Sequence, residues 1–326
     1  MSRNRKSCFA FVSMIILFVC VNQVSATDYI VVDLNPSGFS NCFAYGISGG
    51  QQVGYGPITG GNYHALLWSG SAASAVDLNP AGFNYSEANG IGGGQQVGYG
   101  YQTPTGGNGR AFLWSGSAAS AVNLNPSGCD SSEAYGVSGG QQVGVGGWTL
   151  EDTYHAFLWR GSAASAVDIN PAGFSYSEAR GISGGQQVGF GVRYLYNYPH
   201  ALLWNGTAAS AVDLNPSGFR ESYAFGIGGG HQVGFGSSTT GGYSHALLWS
   251  GTAAIAVDLH QFLPAAFKNS CARSIDDKGD IVGYAIDSAY NYHAILWQPV
   301  PEPATFVMLG MAALVLTFVW RRKRAG

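Results

Sequence analysis

Between Asp28 and Trp297 the chain is written as short runs of alternating apolar and polar positions, punctuated by glycine pairs and by turns rich in serine and asparagine. Alternation with a period of two marks a strand with one buried face. In His200-Ala-Leu-Leu-Trp204 it places His200, Leu202 and Trp204 together on one side. Three similar runs surround this one: Glu178-Ala-Arg-Gly-Ile182, Gln187-Val-Gly-Phe-Gly191 and Ala211-Val-Asp-Leu214. Gly184-Gly185 separates the first two and Asn205-Gly-Thr-Ala-Ala-Ser210 the last two, and connections this short join antiparallel neighbours. The pattern predicts a four-stranded meander.

The meander recurs. Trp68, Trp114, Trp159, Trp204, Trp249 and Trp297 mark its copies at separations of 46, 45, 45, 45 and 48 residues, a period that suits propeller blades and is long for one coil of a β-solenoid. The expected fold is all-β, a six-bladed β-propeller of four-stranded antiparallel blades. The sixth copy stops at Trp297 without a fourth run, while Ile30-Val-Val-Asp-Leu34 precedes the first copy. An N-terminal strand is therefore expected to complete the last blade and remove two open sheet edges. Asn35-Pro36, Asn79-Pro80, Asn125-Pro126, Asn170-Pro171 and Asn215-Pro216 read as strand stops; Asp258-Leu259-His260-Gln261 breaks this rule, so that connection should differ.

Composition refines the picture. Of 326 residues 46% are hydrophobic and 13% aromatic, far from the profile of a disordered chain. Residues 27–299 hold eight basic and seventeen acidic residues, a net charge of about −9, which argues against nucleic acid as a partner. Cys42, Cys129 and Cys271 remain once the N-terminal segment is set aside, an odd number without CxxC pairing, so neither a disulfide framework nor a zinc site is expected.

Both ends carry addresses. Residues 1–26 combine a basic start, the apolar run Phe9 to Val21 and a Val24-Ser25-Ala26 exit, the pattern of a secretory signal peptide. Residues 27–299 form the body, and 300–326 a tail in which Val300, Pro301, Glu302 and Pro303 precede seventeen uncharged residues and then Arg321, Arg322, Lys323 and Arg324. Seventeen residues suffice for a short transmembrane helix, and the basic cluster would stay cytoplasmic. This tail resembles the PEP-CTERM sorting signal of Gram-negative bacteria. The resemblance implies recognition by an exosortase, a stage in the inner membrane, and display at the cell surface or in an exopolysaccharide matrix. The His155-Ala-Phe-Leu-Trp159 run, its variants, and Ile275-Asp-Asp-Lys-Gly-Asp-Ile-Val-Gly283 also resemble the HAF repeat of extracellular bacterial proteins. That family supplies no active site.

The recurring polar residues point to structure. His64, His155, His200, His245 and His293 take one position per blade, too dispersed for a shared metal, and suit hydrogen bonds to a neighbouring turn. Asp33, Asp77, Asp168, Asp213 and Asp258 suit turn capping. Glu87, Glu133 and Glu178 precede the inner strand of copies two to four, where they could line the central channel; paired carboxylates there would support a polysaccharide hydrolase or lyase, but they read better as solvated strand-entry residues. No catalytic motif, metal site or cofactor is otherwise indicated. The segments between second and third strands vary most, and their aromatic residues Trp148, Tyr194, Tyr196 and Tyr198 are candidate ligand contacts, with exopolysaccharide the expected partner. The sequence thus reads as a non-enzymatic surface or matrix protein.

Overall fold

The computed structural model describes residues 32–39, 41–59, 61–102, 108–148, 153–194, 196–240 and 242–299. The signal peptide, most of the expected closing strand, and the sorting residues Val300 to Pro303 and Arg321 to Arg324 lie outside this set. No helix among the described residues is long and apolar enough to cross a membrane. All strands belong to the unit that begins at Asp33.

The alternating runs become six antiparallel sheets, five of four strands and the sixth of three, each with its strands side by side in chain order. Sheet four is representative: Phe174–Ser183, Gln186–Arg193, Tyr196–Trp204 and the two-residue Val212–Asp213. Its first turn needs left-handed backbone at both central positions, met by Gly184 (φ 58°) and Gly185 (φ 79°). Gln187, fully buried, fastens this turn to the next one at the same end, accepting from the Gly206 N–H at 2.8 Å while donating to the Gly185 carbonyl at 2.6 Å. Gln52, Gln96, Gln142 and Gln232 repeat the brace. The other end of the sheets carries the longer second-to-third strand segments. There the Tyr194 N–H reaches the Gly173 carbonyl and the Thr239 N–H the Gly218 carbonyl, joining these segments to the sheet-to-sheet connections.

Apolar faces pack sheet against sheet. Five hydrophobic clusters each combine two consecutive sheets; one joins Val53, Leu67 and Leu78 of sheet one to Phe112 and Trp114 of sheet two. Trp68, Trp114, Trp159, Trp204 and Trp249 are completely buried, which explains why tryptophan marks the period.

A hydrogen bond from a backbone N–H to a buried serine crosses each of these contacts, and it continues to an asparagine between sheets one and two, two and three, and three and four. Between sheets four and five the Ala201 N–H reaches Ser222 Oγ, but Asn215 Oδ1 has no partner among the described residues. The Ala156 N–H on the third strand of sheet three donates to Ser177 Oγ on the first strand of sheet four at 3.0 Å, and Ser177 donates to Asn170 Oδ1 at 2.7 Å. Asn170 also donates to the Phe174 carbonyl, holding the connection between the two sheets. Ser86 with Asn79 and Ser132 with Asn125 repeat the relay. The expectation that the sixth connection differs is met by a 3₁₀ turn, Leu259–Phe262, in which His260 Nδ1 lies 2.8 Å from Ser270 Oγ and takes the asparagine's place.

The array does not close within the described residues. Val32 to Leu34 belong to no strand, and the third strand of sheet six, Tyr292–Trp297, has no fourth strand beside it. Leu296 is consequently 54% exposed where its counterpart Leu203 is 5% exposed. At the other end of the array Ile47 on sheet one is 73% exposed. Cys42, Cys129 and Cys271 are free thiols. Cys42 and Cys271, similar in repeat position by spacing alone, are one residue out of phase: Cys42 precedes Phe43 opposite Tyr55, a position equivalent to the relay serine, whereas Cys271 follows relay Ser270.

Ser177→Ala would leave the buried Ala156 N–H and Asn170 Oδ1 without their shared partner, a loss of about 1–3 kcal/mol. Denaturant unfolding is expected to show it, while the exposed-turn change Ser217→Ala should stay within about 0.5 kcal/mol of the parent.

Candidate functional site

The first strands face a common central cavity. In each sheet the ladder between first and second strands slips by one residue near the middle of the first strand, at Tyr45, Asn89, Tyr135, Arg180, Phe225 and Arg273. In sheets four to six it slips a second time near the start of that strand, at Ser175, Arg220 and Lys268. A bulge frees one side chain from the alternation and re-aims it. All six mid-strand side chains line the cavity, whose volume is about 880 Å³. The slip is possible because the facing strand carries glycine; a Cβ on Gly98 would stand 1.9 Å from the Glu87 carbonyl oxygen.

Two residues before four of these bulges lie Phe43, Glu87, Glu133 and Glu178, so the carboxylates fall on three adjacent sheets. The solvated reading of these glutamates is corrected here: Glu87 and Glu178 are buried and Glu133 is half-buried, because the first strand on which they sit is the inner strand of its sheet, facing the central cavities. Phenols satisfy them. Tyr85 donates to Glu87, Tyr176 to Glu178, and Tyr135 to Glu133 at 2.8 Å, with Tyr101 more distant at 3.4 Å. Arg180 pairs with Glu178 and lays its guanidinium 4.1 Å over the Tyr135 ring. Burial raises the Glu133 carboxyl above its ordinary value against the lowering effect of the Tyr135 hydrogen bond, with the Glu178 charge adding to the rise. Burial likewise lifts Tyr101, to about 12, and Tyr85, Tyr99, Tyr135 and Tyr176 higher still, so these phenols remain protonated donors at neutral pH. The opposite wall is aromatic and basic: Arg273 lies 4.7 Å from the Phe225 ring, and Tyr223 stacks on Phe235 at 4.8 Å.

The aromatic residues singled out from the sequence stand at the other location, the end bearing the longer segments. Tyr194 is 71% exposed and Tyr198 42% exposed. Arg220 lies 4.8 Å over the Tyr198 ring, and these two with Arg193 and His200 line a shallow hollow of about 310 Å³. Trp148 does not share this hollow. It is half-buried, its ring 5.3 Å from His155, and packs on the cluster between sheets two and three. The Tyr196 side chain lies outside the described residues.

Histidine and aspartate, read separately from the sequence, form one device. Nδ1 of His64, His155, His200 and His245 lies 2.7–2.8 Å from Oδ2 of Asp77, Asp168, Asp213 and Asp258, so the expected turn partner is a carboxylate of the fourth strand. The second oxygen, Oδ1, accepts the backbone N–H two residues on, at Asn79, Asn170, Asn215 and His260, which is the turn-capping role foreseen. The pair is separated by thirteen residues in each of these four copies, a recurrence that would have revealed it. Among the described residues no group of three or more metal-ligating side chains gathers.

Comparison with known proteins divides the chain. Residues 299–324 match the PEP-CTERM protein-sorting motif, which implies secretion, a membrane-anchored intermediate and recognition by an exosortase. For the body, no curated protein matches. Among solved structures, the β-propeller domain of the Trilobed protease from Pyrococcus furiosus, described as having an open velcro topology, superposes with a TM-score of 0.51 at 9% identity over 79% of this chain and 84% of that one. More distant are puromycin hydrolase (TM-score 0.38, 13% identity, 79% of this chain) and an Aleuria aurantia lectin (TM-score 0.39, 12% identity, 82% of this chain and 95% of that one). The chain spans about half the length of puromycin hydrolase, 52%. The fold is therefore all-β with six antiparallel sheets, consistent with a six-bladed propeller, and it ends in a sorting motif.

The acid dependence of the histidine–aspartate device can be measured at Asp213. Burial alone would raise its pKa, but hydrogen bonds from His200, the Asn215 N–H and Arg193 outweigh burial and hold it below the ordinary 3.8. A depressed folded-state value adds stability that is complete above the ordinary carboxylate pKa and is lost as pH falls through the folded one. Asp213→Asn is expected to lower stability by roughly 1–2 kcal/mol at neutral pH, and the difference from the parent should shrink progressively below about pH 4 in urea titrations.

Proposed function

We propose that the mature protein is a non-enzymatic surface or matrix component that holds exopolysaccharide through the end of the propeller bearing Tyr194, Tyr198 and Arg220. The observation carrying this reading is the union of the sorting motif at 299–324 with a rigid sheet scaffold that presents exposed aromatic and guanidinium groups at one end. Aromatic faces stack on sugar rings, and arginine donates to their hydroxyls. The resemblance to HAF repeats is in keeping with an extracellular post. Glu178, engaged with Arg180 and Tyr176, supports a binding or structural role for the inner wall over hydrolysis.

Co-sedimentation of the mature body with matrix from the native host tests this. Combined Tyr194→Ala and Tyr198→Ala substitution is expected to reduce retention at least tenfold while leaving the melting temperature unchanged. Retention equal to the parent refutes this surface, and release of new oligosaccharide ends from the polymer refutes the non-enzymatic reading.

The propeller, on this proposal, closes as the sequence suggests, with Ile30–Leu34 as fourth strand of sheet six. Val32-Asp33-Leu34-Asn35-Pro36 repeats the residues of the fourth strand and stop at Val76-Asp77-Leu78-Asn79-Pro80. Among the described residues His293 meets no fourth-strand carboxylate and lies instead 3.2 Å from Asp287, and Leu296 stands open. Since Val76 sits opposite Leu67, Val32 would sit opposite Leu296. A Val32→Cys, Leu296→Cys protein should form an intramolecular disulfide on mild oxidation, identified by peptide mass; a purely intermolecular product speaks against closure.

A further inference from the structure

Between sheets three and four the inner wall opens into a cavity of about 390 Å³, within the roughly 300–1,000 Å³ usual for small-molecule sites. Glu133, Tyr135, Tyr154, Tyr176 and Glu178 line it. The two carboxylates are not equivalent. Glu178 is ion-paired with Arg180, whereas Glu133 feels the Arg180 charge without pairing to it and takes its hydrogen bonds from the phenols of Tyr135 and Tyr101. A half-buried carboxylate satisfied by neutral donors attracts a cation strongly, because the low-dielectric surroundings weaken charge less than water does. The walls favour the same charge. Tyr154 and Tyr176 stand 6.0 Å apart with their planes at 57°, two faces of an aromatic cage, and such ring faces attract ammonium groups. Arg180 over Tyr135 already shows a cation held in this fashion. The remaining lining is Ser131, Ser132 and Val145.

The repeat itself sets this place apart. The relay serines, brace glutamines and turn glycines recur from sheet to sheet, but the position one residue after the relay serine is glutamate only in sheets two to four, then Tyr223 and Cys271. Identical scaffold with a changed inner wall is what a ligand site in a repeat array requires.

We propose that this cavity binds an amino sugar with a free, protonated amine, the ammonium against Glu133 and between the tyrosine rings, the ring hydroxyls on Glu178 and the hydroxyl groups of the wall. This rests on the glycan-binding reading above for the ligand class but occupies a different site, so the two can fail separately.

Calorimetric titration of the mature protein with glucosamine, N-acetylglucosamine and glucose, and with short glucosamine oligomers, tests it. Glucosamine is expected to bind at least tenfold more tightly than the other two monosaccharides, and tighter binding of oligomers would point to a polymer as the natural source. Glu133→Gln and Tyr154→Leu should each weaken glucosamine at least tenfold at unchanged melting temperature, while the Tyr194→Ala, Tyr198→Ala protein should bind it normally. Equal affinity for glucosamine and N-acetylglucosamine, undetectable glucosamine binding, or indifference to Glu133→Gln in a folded protein overturns the proposal.

Discussion

A single buried serine per interface holds this array in order. Hydrophobic faces alone would allow neighbouring sheets to slide, since apolar attraction has no direction. The chain from the Ala156 N–H through Ser177 to Asn170 has direction: it fixes the third strand of one sheet against the first strand of the next and pins the connection between them. The Ala156 N–H and Ser177 are fully buried, so an offset between sheets would leave that donor and its acceptor unpaired at a cost comparable to a lost hydrogen bond. The tryptophans supply the attraction and the serines the registry. The inner wall inherits its regularity from both.

Much of this was legible in the residues. Alternation at His200 to Trp204, the glycine pairs and the regular tryptophan spacing were enough to give strands, meander and number of sheets, because each is a local consequence of backbone geometry repeated many times. The bulges at Tyr45, Asn89, Tyr135, Arg180, Phe225 and Arg273 were not legible. A period of two assumes an unbroken ladder, and a one-residue slip reverses the face of everything beyond it. The sequence could set Glu87, Glu133 and Glu178 near a central channel, but not show that phenols satisfy them there, because the partners Tyr85, Tyr135 and Tyr176 are fixed by the strand geometry. The packing of the Trp148 ring against His155 and the core was likewise not legible, because its place in a variable segment carries no sign of it.

Repetition and its interruption carry different information. Where the residues agree between copies, they brace turns, cap strand ends or bury faces, as Gln187 and Asp213 do. Where they disagree, at the inner wall and at the longer segments, the partners change with them, as Glu178 with Arg180 and Trp148 with His155 show. His260 is the instructive exception, a substitution inside the scaffold that preserves the hydrogen bond to Ser270 while replacing the whole turn around it.

The bulged positions have a further meaning. Each side chain there is surplus to the ladder that carries it, so its identity can be exchanged without asking any strand pair to re-register. The six cavity-facing residues therefore behave as interchangeable tiles on a fixed frame: tyrosine, asparagine, arginine and phenylalanine already occupy the same slot in different sheets. Such a ring separates the evolution of what the protein touches from the evolution of how it folds, and offers a designer six addressable sites around one opening.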